Sequence, residues 1–406
     1  MSQSKLFQSF WQAGFECSTH VLRSGKRLDL VSASRHDVFA ERDFMRLKEL
    51  DISTAREGLR WHLIEPTAGN YDFSTVLPIL EAARRQGVQI IWDLLHFGWP
   101  QWLDIFDGTW VESFAAFGSS FGRFLQKNGD GAAFVAPVNE ISFASWAGGD
   151  VAYLNPFATG RGGELKKQLV RGYLQSANAL RAEIAGIRLV APEPAIYIAG
   201  DPTRPEDVLK AAEYTSSMYE AWDMISGRAQ PELGGGENYL DVIGINYYDR
   251  NQWFNYGKTI DRNDPEYRPF RLILAEIYRR YERPLFVSET GAEDDGRAGW
   301  LTYIADEVSA AIRAGVPVEG ICLYPVLNHP GWDDDRHCFN GLWDYAQPSG
   351  EREIFAPLAE VIERYKFLER QSYELPNPLY GATARRNLLV TPSLEFCFST
   401  TPTFNE

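Results

Sequence analysis

The chain is short of cysteine, of long apolar runs and of positive charge. Only four cysteines occur in 406 residues, Cys17, Cys322, Cys338 and Cys397, and none stand at a metal-ligand spacing. They read as free, mostly buried thiols in a reducing compartment. No segment approaches the ~18 apolar residues of a membrane span. The opening stretch MSQSKLFQSFWQAGF lacks the uninterrupted apolar core of a secretion signal, so the cytoplasm is the default expectation. Lysine and arginine number 40 against 55 acidic residues, a formal net charge of −15. A nucleic-acid or anionic-membrane surface needs a basic face, so neither partner is expected. A glycine-rich phosphate turn after an early strand is also missing, which argues against a doubly wound open sheet.

What is present is a large apolar fraction, 45% of residues, arranged as short β-branched runs alternating with longer helical periods. The runs fall near 10–18, 52–61, 88–95, 134–139, 187–193, 240–247, 284–289 and 318–326. Eight strands, each followed by a helix, predict an α/β fold, a single (β/α)8 TIM barrel over residues 1–370. Phe114, Phe117, Phe121, Phe124 and Leu125 recur at three- and four-residue steps and give one apolar helix face. Thr109 and Glu112 have the spacing of a capping box at its start. A second face joins Leu165, Leu169, Tyr173, Ala177, Leu180 and Ile184, and Gly87, Gly186 and Gly315 mark helix ends before strands. Residues 371–406 form an extension whose LLVTPSLEFCF segment is too apolar for a solvated tail. It is expected to pack on the barrel or on a partner subunit, which leaves a homo-oligomer open.

Three strand-to-helix connections are long, 141–163, 248–268 and 327–350, and in such a barrel these loops build the active site. They carry Trp146, Tyr153, Phe157, Trp253, Phe254, Tyr256 and Trp332. Aromatic faces stack on the C–H faces of sugar rings, so a carbohydrate cleft is one reading; covers for the barrel mouth are the other. Two glutamates end strands that a barrel aims into that mouth, Glu140 after FVAPVN and Glu289 after PLFVS. Glycosidic bond cleavage uses one carboxylic acid to protonate the leaving oxygen. A second carboxylate attacks the anomeric carbon or activates water. A lone glutamate at a strand end is ordinarily a solvated or ion-paired loop residue, but a facing pair is not. Separation of ~5–5.5 Å predicts retention of configuration, and ~6.5–9.5 Å predicts inversion.

At these residues the sequence resembles the clan A glycoside hydrolases, most closely family 1, the β-glucosidase-like enzymes. The similarity spans roughly residues 10–365 and rests on six motifs in chain order. Asn139-Glu140 implies Glu140 as acid/base and Asn139 as ligand of the sugar 2-hydroxyl. Val287-Ser-Glu-Thr-Gly291 implies Glu289 as covalent nucleophile. Ala55-Arg-Glu-Gly-Leu-Arg-Trp61 places Arg56 beside that nucleophile, and His96-Phe-Gly-Trp-Pro-Gln-Trp-Leu103 makes His96 a sugar ligand. Gly244-Ile-Asn-Tyr-Tyr248 implies Tyr248 as hydroxyl donor to the nucleophile, with Asn246 a nearby polar ligand. Asn328-His-Pro-Gly-Trp332 puts Trp332 at the sugar platform, followed by Gly341-Leu-Trp-Asp-Tyr345. Structural roles stand beside these: His96 as a packed core histidine, Arg56 paired with Glu57 or Glu16, and Tyr248 as barrel packing. Asp93 and Glu193 read as structural polar groups.

The departures from the family concern the grip on the sugar. FECSTHV offers no glutamine at the first strand, Gly331 replaces a glutamate before Trp332, and Tyr324 takes the place of a tryptophan. A site built to hydrogen-bond a hydroxyl rejects analogues lacking it, so these changes imply an altered choice of sugar. Arg23, Lys26, Arg27 and Arg35 form either a site for an anionic substituent or a solvated face. The resemblance implies a retaining β-glycosidase acting on a carbohydrate substrate, with no metal or organic cofactor. A transglycosidase with the same intermediate and a non-catalytic carbohydrate-binding barrel are the alternatives.

Overall fold

The computed structural model describes residues 6–129 and 133–369. Eight parallel strands close into a barrel, and all eight coincide with the apolar runs read from the sequence. In chain order they are β1 (Trp11–Gly14), β2 (Thr54–Gly58), β3 (Gln89–Asp93), β4 (Phe134–Ala136) and β5 (Arg188–Pro194). After a short outlying strand, β6 (Tyr197–Ala199), come β7 (Val242–Asn246), a second outlier β8 (Gln252–Phe254), β9 (Leu285–Thr290) and β10 (Val318–Leu323). The barrel order is β1-β10-β9-β7-β5-β4-β3-β2, and β6 pairs only with β8. The expected extension, 371–406, lies outside the described residues.

Barrel strands face side chains on one side and helices on the other, so both faces are apolar and polarity does not alternate. Every residue of β7 and β9 is buried. Ile91, Phe134, Val190, Val242, Phe286 and Cys322 meet in an inner cluster. Phe7 closes it at the amino-terminal end, its ring 5.0 Å from Phe134 and 4.9 Å from Phe286. Arg56, Asp93, Asn246 and Glu289 are buried polar residues toward the carboxyl ends of their strands, while Gln12 and Thr54 are buried nearer the amino ends.

The helix Thr109–Asn128 buries Phe114, Phe117, Phe121 and Leu125 as its period requires. Trp61 stacks on Phe117 at 5.0 Å, and each such aromatic contributes about 1.5–3 kcal/mol by leaving water. The capping box expected at its start is not formed. Thr109 is already helical, and the Asp107 carboxylate accepts its amide at 2.9 Å instead. The residue two positions earlier captured the free N–H first. The helix Gly162–Glu183 likewise buries Leu165, Leu169, Tyr173, Ala177 and Leu180. Gly87, Gly186 and Gly315 adopt positive φ, as their positions before strands require.

The three long connections are present, and 141–163 opens with a helix, Ile141–Gly149. A fourth escaped the sequence reading. Between β5 and β7 lie β6 and the helices Pro205–Ser216 and Glu220–Ile225 before the chain re-enters the barrel. Outside the barrel wall, Glu57 is buried with His36, Asp43 and Arg352, and not with Arg56. Successive strand residues point to opposite faces, so residues 56 and 57 cannot share a partner in one pocket.

Candidate active site

The carboxyl ends of the strands open into one cavity of about 2070 Å³, lined by Glu16, His96, Glu140, Tyr248, Glu289, Tyr324 and Trp332 among others. That exceeds the ~300–1,000 Å³ of a drug-sized pocket and leaves room for more than one ring of a chain-like ligand. Arg56, Asn139 and Asn246 stand behind its wall. They hold the residues that line it.

Glu289 ends in a fixed frame. Arg56, fully buried, donates from Nη1 to Glu289 Oε1 at 3.0 Å and to the Ser288 carbonyl at 2.8 Å. The Tyr248 hydroxyl donates to the other oxygen, Oε2, at 2.9 Å. Burial pushes the Glu289 carboxyl up, and the guanidinium pulls against that. Burial and the Glu289 charge drive the Tyr248 phenol far above its ordinary value, so it stays a donor. The Arg56 guanidinium is held in turn by Asp93, whose Oδ2 accepts from Nη2 at 2.6 Å, and by Asn139 Oδ1 at 3.1 Å.

Glu140 stands at the left-handed φ of 49°, one residue before the helix Ile141–Gly149. This is a rare conformation for a side chain with a Cβ and marks a site where geometry overrides local preference. It is fixed from both ends. The Glu140 amide donates to the Pro192 carbonyl at 2.9 Å, and the Glu193 carboxylate accepts the free helical amides of Ile141 and Ser142 at 2.6 and 3.0 Å. Asn246 Nδ2 donates to Glu140 Oε1 at 2.8 Å, while Asn246 Oδ1 accepts from Ser288 Oγ at 2.6 Å. Asn246 and Glu289 are register partners across β7 and β9, so the Asn246 amide ties Glu140 to Ser288, the residue before Glu289. Burial and the charge of Glu289 push Glu140 up to about 8.

The remaining sequence candidates fall in the same network. His96 receives Asn139 Nδ2 on Nε2 at 3.3 Å, and its Nδ1 lies 3.3 Å from Asp93 Oδ2 and 3.2 Å from Cys17 Sγ. The Tyr324 ring lies parallel to His96 at 6.0 Å and against the Arg56 guanidinium at 5.3 Å. Trp332 is braced edge-on by His20 at 4.5 Å. Trp146 and Trp253 also line the cavity; Tyr153, Phe157, Phe254 and Tyr256 do not. Arg23 donates to the Val151 and Ala152 carbonyls, Arg27 to those of Thr19 and Trp99, Lys26 pairs with Asp335, and Arg35 lies over the Phe39 ring. None of the four lines the cavity, so this group stitches loops together.

Sequence reasoning set Asp93 and Glu193 aside as structural, and they are the groups that hold Arg56 and the Glu140 turn. A carboxylate closing an apolar strand, as in QIIWD, was the available signal. Cys17, Asp93 and His96 also bring three potential metal-ligand atoms within 4.8 Å of one another. The same Asp93 oxygen already receives the Arg56 guanidinium, a charge that opposes a cation there, and burial keeps the Cys17 thiol protonated.

No sequence-family model matches the chain. Among solved structures it superposes on the family 1 β-glucosidase of Thermotoga maritima with a TM-score of 0.71 at 15% identity, covering 90% of this chain and 99% of that one. The β-glycosidase of Pyrococcus horikoshii gives 0.72 at 16% identity, over 93% and 99%. The fold is that of the family 1 β-glucosidases. In sequence, a β-galactosidase of Sulfolobus acidocaldarius is 24% identical over 308 residues, 63% of this chain. The chain spans 61% of that relative's length. The family 1 likeness and the eight-stranded barrel agree with the motif reading.

Proposed function

We propose that the chain is a retaining β-glycosidase in which Glu289 is the nucleophile and Glu140 the acid/base. The observation that carries this is the asymmetry of the pair. Glu289 has a guanidinium on one oxygen and a phenol on the other, whereas Glu140 has one neutral amide donor and is pushed to about 8. Two carboxylates whose surroundings separate their proton affinities are suited to opposite tasks.

In the first step a Glu289 oxygen bonds to the anomeric carbon as the glycosidic C–O bond breaks, and Glu140 delivers its proton to the leaving oxygen. The negative charge of Glu289 is consumed in the glycosyl ester, which removes the largest charge that raised Glu140. Its proton affinity falls, and it can take a proton from the incoming water. Asn246 keeps Glu140 placed through both steps, and Asp93 keeps Arg56 charged beside the ester oxygen.

The test is trapping with an aryl 2-deoxy-2-fluoro-β-glycoside and intact-mass measurement, followed by mapping of the ester. A stable adduct on Glu289 is expected, as is β-configured first product by NMR. An α-configured first product, or an adduct elsewhere, overturns the assignment. Glu140→Ala is expected to spare substrates with activated leaving groups and to disable those with poor ones; equal loss on both removes its acid role.

A further inference from the structure

Glu16 lies two residues beyond β1 and lines the same cavity as Glu140 and Glu289, yet the double displacement leaves it unused. The residue is only 8% exposed. Its Oε1 accepts the Ser18 amide at 3.0 Å, and among the described residues no lysine, arginine or histidine forms an ion pair with it. Burial works against its charge, but the imidazoles of His96 and then His329, with the Ser18 amide, hold the Glu16 carboxyl below its ordinary value, so it stays ionised. Asn340 Nδ2 lies 3.0 Å from His329 Nε2, and Asn340 Oδ1 is buried without a hydrogen-bond partner. Both residues line the cavity.

A nearly buried carboxylate paired with no lysine or arginine is only partly offset by two imidazoles, and a buried amide oxygen without a donor adds to that cost. Both are answered by a ligand that brings donors. A sugar hydroxyl brings one; an ammonium brings three, with the opposite charge. The surroundings favour the cation further, since the cavity wall carries ten acidic side chains against five lysines and arginines and two histidines. An anionic substituent meets the reverse, repulsion from a fixed buried charge.

We infer that Glu16 is a specificity-determining residue, an anionic anchor for a glycone that carries an ammonium group. The inference rests on the glycosidase reading and names the substrate class for that site. The Glu16 carboxylate contributes to binding the sugar and takes no part in breaking its bond.

The experiment measures binding apart from turnover. Aryl 1-thio-β-D-glucosides, inert to hydrolysis, are titrated calorimetrically into the full chain at pH 7, as the neutral parent and as the 2-amino, 3-amino and 6-amino deoxy derivatives. At least one amino derivative is expected to bind tenfold or more tightly than the parent. Glu16→Gln is expected to reduce that preference to within twofold, and Glu16→Asp, which keeps the charge, to retain it. No preferred amino derivative in the wild type, or a preference that survives Glu16→Gln, overturns the inference while neutral thioglucoside binding leaves the glycosidase reading standing. If neither variant folds, the wild-type preference alone decides. Absence of binding by every thioglucoside overturns the inference, while the glycosidase reading is decided separately by the trapping experiment.

Discussion

Tyr248 and Arg56 divide Glu289 between them: the phenol holds Oε2 at 2.9 Å and the guanidinium holds Oε1 at 3.0 Å. Neither oxygen is left to rotate freely, so the lone pair that attacks in the proposed mechanism keeps its direction. A hydrogen bond to a charged group is worth about 1.5–3 kcal/mol. Tyr248→Phe is therefore expected to lower kcat/KM by roughly 10- to 100-fold, while Glu289→Ala lowers it by about 10⁴-fold or more. Steady-state rates on one aryl β-glycoside check both. A Tyr248→Phe enzyme at wild-type rate contradicts the positioning role.

The pH profile follows from the same pair. In the proposed mechanism Glu140 must carry its proton in the free enzyme, and burial together with the Glu289 charge pushes it up to about 8. kcat/KM is expected to fall as pH rises through about 8. Glu289 must be ionised, and burial raises it above its ordinary value, so the acid limb lies above the usual carboxylate range. Glu140→Gln, assayed on an activated leaving group, should abolish the alkaline limb and keep the acid one. An alkaline limb unchanged in that variant assigns it to another group.

The sequence exposed the ends of the strands more fully than what lies between them. Glu140, Asn246 and Glu289 each interrupt a buried apolar run, and a polar residue where a strand leaves the barrel core has few positions to occupy other than the mouth. Depth along a strand is legible from the run. Neighbours across strands are not, because they depend on barrel order and register. Arg56 is expected beside Glu289, with Glu57 or Glu16 as the structural alternative; it does reach Glu289, but its second partner, Asp93 on the adjacent strand, is not anticipated. Glu16 stayed hidden for a related reason: FECSTHV holds several polar residues, and only the folded chain shows which of them faces the cavity. The β5–β7 connection was missed because its helices resemble those of any βα unit.

A buried ionic cluster makes stability depend on pH. His36, fully buried, has Nδ1 2.9 Å from Asp43 and Nε2 2.9 Å from Glu57, and stacks on Phe15 at 3.7 Å. Burial works against its charge, but Glu57 and Asp43 win and raise it to about 9. A folded-state value above the unfolded one stabilises fully below about pH 6.5 and loses that contribution as pH rises through about 9. The contribution is on the order of 3 kcal/mol. His36→Gln should lower Tm at pH 6 and flatten its decline between pH 6.5 and 9. Parallel wild-type and variant curves over that range count against a charged His36.

Gly14 is where β1 meets the site. A Cβ there would lie 1.9 Å from Tyr324 Cδ2, and Tyr324 is itself buried against Arg56 and His96. The ring packs against the guanidinium and His96 and borders the cavity, so the added methyl must displace it from its place beside the guanidinium that holds Glu289. Overpacking of this kind costs about 1–3 kcal/mol. Gly14→Ala is expected to lower both Tm and kcat/KM. Because the clash is with one ring, shrinking that ring removes it, and two residues in contact are not additive. The double variant Gly14→Ala, Tyr324→Leu should therefore lose less stability than the two single changes added together. Strict additivity in a denaturant melt would show that the methyl is accommodated elsewhere, and that Tyr324 does not transmit the strain to Arg56.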